Sequence, residues 1–194
     1  MIRLTSPTQS GLVSSAWGAD RSYRGGWHEG LDFPGKVGEP VLAAADGVVV
    51  RVDNSNDSFA GNWQAIDHGG VVTRYLHASR NLTSPGQRVK RGQPIATLGT
   101  SGTVSAAPHV HFDVKASGGA LAEYVTRYGT PLTGLGKGTS LGRGVPAEPL
   151  MDRVTFSARA KQQMAAAGVS PRGSVFNPAW AAAGLVVYLA YRYL

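Results

Sequence analysis

Polar and apolar side chains alternate strictly through His109–Val114, so His109 and His111 share one face of a strand while Val110, Phe112 and Val114 share the other. Two apolar runs, Val41–Ala44 and Val48–Val52, flank Asp46-Gly47, a hairpin-type dipeptide. Trp63–Asp67 and Val71–Leu76 flank His68-Gly69-Gly70, a second tight connection, and Ile95–Leu98 follows Gly92-Gln93-Pro94. In Val71–Leu76 and just beyond, Thr73, Tyr75 and His77 fall in phase on one face, with Arg74 and Leu76 on the other. Short strands at this spacing predict a mostly β fold, a compact and mainly antiparallel sheet domain spanning residues 1–128.

The pattern changes after that point. Residues 129–150 carry glycine at 129, 134, 136, 138, 142 and 144 and proline at 131, 146 and 149, a linker composition expected to be too flexible for a packed element. Residues 151–194 read as a helical, hydrophobic C-terminal tail. Asp152–Ala167 suits an amphipathic helix closed by Gly168 and Pro171, and Asn177-Pro178 opens a second helix running to Leu194. At 1.5 Å per residue, 178–194 would span about 25 Å against a bilayer core of about 30 Å. Membrane anchoring through 178–194 and burial against a partner protein or the chain's own domain are both open readings of that segment.

Charge sharpens the division. The formal net charge is +7, with eleven Lys/Arg against nine Asp/Glu through Lys115 and eight against three from Ala116 onward. Such a basic tail suits anionic lipid or the acidic polymers of a bacterial envelope. Aromatic and basic residues do not interleave as in base-stacking proteins, so no nucleic-acid partner is expected. With no cysteine in the chain, any metal site must be built from imidazole and carboxylate. The N-terminal residues have no apolar stretch of signal-peptide length, so no cleavable signal peptide is expected.

All five histidines, at 28, 68, 77, 109 and 111, fall in the β-rich part. Neighbouring imidazoles on one strand face can converge on one small site, and spacing alone leaves open which of His109 and His111 would hold a metal. His28-Glu29-Gly30-Leu31-Asp32 offers an imidazole and a carboxylate, with Gly30 expected to bend the chain so that both reach one ion. Gly30 and Pro34 argue against a helix here, and Glu29, adjacent to His28 on an extended chain, points away from it. His68 reads as a solvent-facing turn residue. Arg21 and Tyr23 are candidate oxyanion donors or plain loop residues.

Together, His28-Glu-Gly-Leu-Asp32, Gly38-Glu-Pro-Val-Leu-Ala-Ala-Ala-Asp-Gly-Val-Val-Val50, Tyr75-Leu-His77, Val89-Lys-Arg-Gly-Gln-Pro-Ile95 and His109-Val-His-Phe112 resemble, in order, the motifs of the LytM/lysostaphin-type M23 metallopeptidases. The resemblance covers roughly residues 15–115. It implies Zn2+ held by His28, Asp32 and His111, catalytic roles for His77 and His109, and hydrolysis of peptide cross-links in bacterial peptidoglycan. Some members of that family are catalytically silent activators, but this chain keeps all five positions. A structural virion or envelope protein is the other non-enzymatic alternative. The expected setting is a phage virion, where the enzyme would open the wall during genome entry, or the bacterial cell envelope, with membrane or virion-protein contacts through the tail.

Overall fold

The computed structural model describes residues 2–169 apart from 22–25, 57, 106, 129–135, 137 and 153. Short strands β1 (Leu4–Thr5), β2 (Leu12–Val13), β3 (Asp20–Arg21) and β4 (Gly26–Trp27) lead into β5 (Leu31–Pro34) and β6 (Pro40–Leu42). Longer strands follow: β7 (Gly47–Asp53), β8 (Asn62–Asp67) and β9 (Val71–Ala78). Then come β10 (Arg80–Asn81), β11 (Arg88–Val89), β12 (Pro94–Thr97) and β13 (His109–Ala116). Helix α1 (Gly118–Tyr128) precedes β14 (Gly138–Thr139), β15 (Gly142–Val145), β16 (Met151–Asp152), β17 (Thr155–Phe156) and helix α2 (Ala158–Ala166).

The main sheet runs β11-β7-β8-β9-β13-β15-β14, with β5 also on β13, and every pairing in it is antiparallel. Strand β13 is its hub: one edge pairs with β9, while the other pairs first with β5 and then with β15. Alternation sets its two faces. Val110, Phe112 and Val114 are buried in the larger core, where the Phe112 ring meets Phe33 and Tyr75 edge-on at centroid distances of 6.2 and 5.3 Å. The opposite face carries His111 and Asp113 beside Leu76 and Arg74 of β9, next to a smaller cluster of Trp63, Ala65, Val72 and Leu76. A smaller sheet, β10-β12-β6, closes the core from the side.

The mostly β, antiparallel fold is as the periodicity predicts, and Asp67–Gly70 does join β8 to β9 as a hairpin, its Asp67 carboxylate accepting from the Gly69 and Gly70 N–H groups. Asp46-Gly47 does not close a hairpin. Strand β6 pairs with β12 and β7 with β8 and β11, so the dipeptide is a corner between sheets, its Asp46 carboxylate accepting from Lys90 and the Arg91 N–H.

Part of the supposed linker is packed. Residues Gly142–Val145 extend the sheet on β13, and Val145, Ala147, Glu148, Pro149 and Leu150 are buried. Glycine here permits close strand approach, since a Cβ on Gly142 would sit 2.5 Å from the Ala116 carbonyl oxygen. The helix expected over 152–167 begins only at Ala158, with the Ser157 hydroxyl capping the Ala160 N–H, because β16 and β17 instead pair in parallel with β1 and β2. It ends at Gly168, whose φ of 67° only glycine adopts freely. Elements beyond residue 128 therefore complete the same core as the N-terminal strands. The reading of 178–194 lies outside the described residues; among those described, no helix is long and apolar enough to cross a membrane.

Candidate metal centre and active site

Antiparallel pairing sets Asp32 of β5 directly opposite His111 of β13. His28, just before β5, is drawn in by backbone bonds to the turn that precedes β3: its N–H donates to the Ala19 carbonyl and its carbonyl accepts from Gly18. The result is a triangle of donor atoms. His28 Nε2 lies 3.0 Å from Asp32 Oδ1 and 2.9 Å from His111 Nδ1, and His111 Nδ1 lies 3.0 Å from Asp32 Oδ1. Among the described residues this is the group of His, Asp and Glu side chains able to hold a metal ion.

The donor set fits zinc. A tetrahedral site with bonds of 2.0–2.1 Å has ligand–ligand edges of about 3.3 Å, close to the sides of this triangle. The remaining atoms of each ligand are engaged. His28 Nδ1 donates to the Ala16 carbonyl at 2.9 Å, which leaves Nε2 as the lone-pair nitrogen. His111 Nε2 faces Asp113 Oδ2 at 3.5 Å, which leaves Nδ1 for the ion. Asp113 is itself fixed by Arg74, with Nε–Oδ1 and Nη2–Oδ2 distances of 2.8 and 2.5 Å. Burial opposes charge on His111, yet hydrogen bonds to Asp113 and Asp32 outweigh it and push the imidazole up to about 9. Burial likewise opposes ionisation of Asp32, but the His28 and His111 rings hold it well below the usual carboxylate range. An ionised Asp32 between two imidazoles is the charge arrangement of a group able to hold a metal ion.

His77 and His109 stand beside the triangle with ring centroids 4.8 Å apart, and His77 is 6.2 Å from His111. Both anchor Nδ1 on a backbone carbonyl: His77 donates to Ser101 at 2.9 Å and His109 to Ala107 at 2.7 Å. That leaves each Nε2 open, and His109 Nε2 lies 3.7 Å from Asp32 Oδ1. Burial, reinforced by the His111 and His109 rings, lowers the His77 imidazole to about 4.

His77 is not in phase with Tyr75 and Thr73. The register of β8 on β9 slips between Asn62↔Ala78 and Gln64↔Tyr75, so Leu76 and His77 together oppose Trp63 in a bulge. His77 also takes a φ of 68°, uncommon for a residue with a side chain. Tyr75 stays in the core with its hydroxyl accepting from the Ala44 N–H, while His77 turns onto the site face.

Other expectations are met in part. Gly30 does lie at a bend, without a positive φ, and a Cβ there would sit 2.6 Å from the Phe112 carbonyl oxygen and 2.8 Å from His111 Nε2, so glycine also supplies clearance for the His111 ring. His68 is half-buried rather than solvent-facing, its Nδ1 2.7 Å from the Asp46 carbonyl and its Nε2 2.8 Å from Thr73 Oγ1. Arg21 reaches the site, with Nη2 3.4 Å from Asp32 Oδ2 and 3.2 Å from Ser15 Oγ, whereas Tyr23 lies outside the described residues. Glu29 turns away from the triangle, as expected, to 3.5 Å from the buried Lys115 ammonium. Asp113 and Arg74 were missed, although Asp113 follows His111 by two on a strand and so shares its face.

A model described as Peptidase family M23 matches residues 26–123, half of the chain, and the protein belongs to that family. The chain is 44% identical over 92 residues to the peptidoglycan DD-endopeptidase ShyC of Vibrio cholerae, covering 47% of this chain and 21% of the relative. It is 35% identical over 113 residues to the murein hydrolase activator NlpD of Escherichia coli, covering 58% and 28%. A solved zinc-containing peptidase from Vibrio cholerae superposes with a TM-score of 0.52 at 34% identity, covering 58% of this chain and 36% of that one. The match thus spans only 21% to 28% of the length of these curated relatives.

Proposed function

We propose that this protein is a zinc-dependent endopeptidase that hydrolyses peptide cross-links of bacterial peptidoglycan. The observation that carries the reading is the triangle of His28, Asp32 and His111 donor atoms with two further imidazoles beside it. Zinc held by those three side chains would supply a Lewis acid for the scissile carbonyl and would lower the pKa of a water molecule towards neutrality.

Hydrolysis adds the hydroxyl of one water to the carbonyl carbon, breaks the C–N bond and leaves protons on the departing amine and acid. His77, neutral at pH 7, presents an unprotonated Nε2 that can take a proton from water, and once protonated it can return that proton to the amine. His109, aimed by Ala107 into the same space, gives a second Nε2 to share proton transfer or to stabilise the oxyanion. The bonds to Ser101 and Ala107 fix both tautomers before substrate arrives, which removes a reorganisation cost from the reaction.

The resemblance to a murein hydrolase activator raises the non-enzymatic alternative, and retention of all five site side chains favours the enzyme. The test is digestion of purified peptidoglycan with and without a chelator. Soluble peptide fragments that vanish with chelator and return with added zinc support the reading; chelator-insensitive or absent release contradicts it. For setting, the proposal is a virion or the bacterial envelope, which the +7 formal charge suits through acidic wall polymers. Mass spectrometry of purified particles and of envelope fractions distinguishes the two.

A further inference from the structure

Two consecutive peptide groups, Ser15–Ala16 and Ala16–Trp17, each join a metal-ligand residue on one side to a side chain from the C-terminal region on the other. The Ser15 carbonyl accepts from the Asp32 N–H at 2.9 Å, and the N–H of that same peptide group, on Ala16, donates to Gln163 Oε1 at 2.8 Å. The Ala16 carbonyl accepts from His28 Nδ1 at 2.9 Å, and the N–H of that group, on Trp17, donates to Glu148 Oε1 at 2.8 Å.

Trp17 and Glu148 are fully buried, so neither partner has water as an alternative. Further bonds set the distance between the segments: the Ser157 N–H donates to the Val13 carbonyl at 3.0 Å, and the Ser157 hydroxyl to the Ser14 carbonyl at 3.4 Å. Glu148 and Gln163 both lie beyond residue 123, where the family match ends.

An amide accepting at its carbonyl and donating at its N–H is polarised in both directions. A carboxylate or carboxamide oxygen on the N–H makes the carbonyl oxygen a better acceptor. For the Ala16–Trp17 group, that oxygen holds the Nδ1–H of His28 and so keeps Nε2 aimed as the lone-pair nitrogen. We propose that Glu148 and Gln163 are positioning residues of the metal centre, acting on His28 and Asp32 through these two peptide groups. The C-terminal segment is thereby an outer shell of the site as well as part of the core. The inference rests on the metal-centre reading above.

The test uses the full chain, with zinc affinity measured by competition against a chromophoric chelator and ligand geometry read from the visible spectrum of the cobalt(II)-substituted protein. Gln163→Leu and Glu148→Leu remove the acceptors and are expected to weaken zinc binding about tenfold, the low end of the range for outer-shell partners, and to shift the cobalt bands. Gln163→Glu and Glu148→Gln keep an oxygen in place and are expected to restore affinity to within about threefold of wild type.

Gln163 is only partly buried, so its leucine variant tests the idea even where the fully buried position fails to fold. Leucine variants that lose thermal stability yet bind zinc with wild-type affinity and unchanged cobalt spectra would overturn the proposal and leave the metal centre standing. A wild-type protein that binds neither ion would overturn both.

Discussion

The histidines of the site fall into two pairs built in opposite ways. His28 and His111 sit on or beside paired strands, and their orienting partners are themselves deep in the fold: the Ala16 carbonyl, and Asp113 clasped by Arg74. His77 and His109 hang from loop carbonyls at Ser101 and Ala107, and His77 reaches its place only through a bulge and a positive φ. The proposed metal ligands thus depend on sheet register, and the proposed proton-handling pair on a loop and a local backbone distortion. The lesson is that the two functions can be broken separately.

The largest effect comes from the histidines themselves. His111→Ala is expected to lose both bound zinc and activity, whereas His77→Ala keeps one zinc per chain and loses about 10²–10⁴-fold in kcat. Metal analysis alongside turnover of the two variants checks this, and a folded but zinc-free His77→Ala protein would show the ligand set to be misplaced.

Two glycines sharpen the same contrast without touching a histidine. A methyl at Gly30 would meet the His111 ring, and one at Gly99 would press on the backbone just after and at His77, 2.3 Å from the Ser79 nitrogen and 2.8 Å from the His77 carbonyl oxygen. Gly30→Ala is expected to weaken zinc binding, while Gly99→Ala leaves zinc stoichiometric and lowers kcat by up to about 100-fold, the scale of a 1 Å misplacement. Equal zinc affinity in the two variants would dissolve the distinction. Smaller again is Asp113→Asn, which keeps shape but removes the charge facing His111 Nε2; zinc affinity is expected to fall about tenfold with kcat of the loaded enzyme little changed.

A separate effect, on the fold and not on the site's chemistry, is the pH dependence of stability. Burial pushes the Glu148 carboxyl up to about 7, with its Oε2 lacking a partner among the described residues and Tyr124 the neighbouring titratable group. The folded state therefore binds a proton that the unfolded state releases near its ordinary 4.5. This contribution is fully present below about pH 4.5, declines as pH rises, and is gone above about pH 7, a change on the order of 3 kcal/mol. Denaturant unfolding across that range should show the wild type losing stability relative to Glu148→Gln as pH rises; parallel curves would contradict the assignment.

How much of this the residues announce depends on whether the signal is local. Strands such as β13 were legible because alternation is a property of adjacent residues, and the five histidines could be picked out by type. Which of His109 and His111 joins the triangle was not, because both point the same way; pairing with β5 decides it by setting Asp32 opposite His111. The turn of His77 depends on a bulge against β8, a contact between strands. The glycine-rich stretch misled because composition reports freedom in the unfolded chain, not the close approach that Gly142 permits against Ala116. Strands β16 and β17 overlap the predicted helix because their partners, β1 and β2, lie at the far end of the sequence, where no local pattern reveals them.

The central claim is that a zinc ion is gripped by His28 Nε2, Asp32 Oδ1 and His111 Nδ1. An anomalous difference map collected at the zinc edge from crystals grown with zinc tests it most directly. One strong peak within about 2.0–2.2 Å of those three atoms is the predicted result. A peak on His77 and His109 instead, or none between the three, contradicts the account.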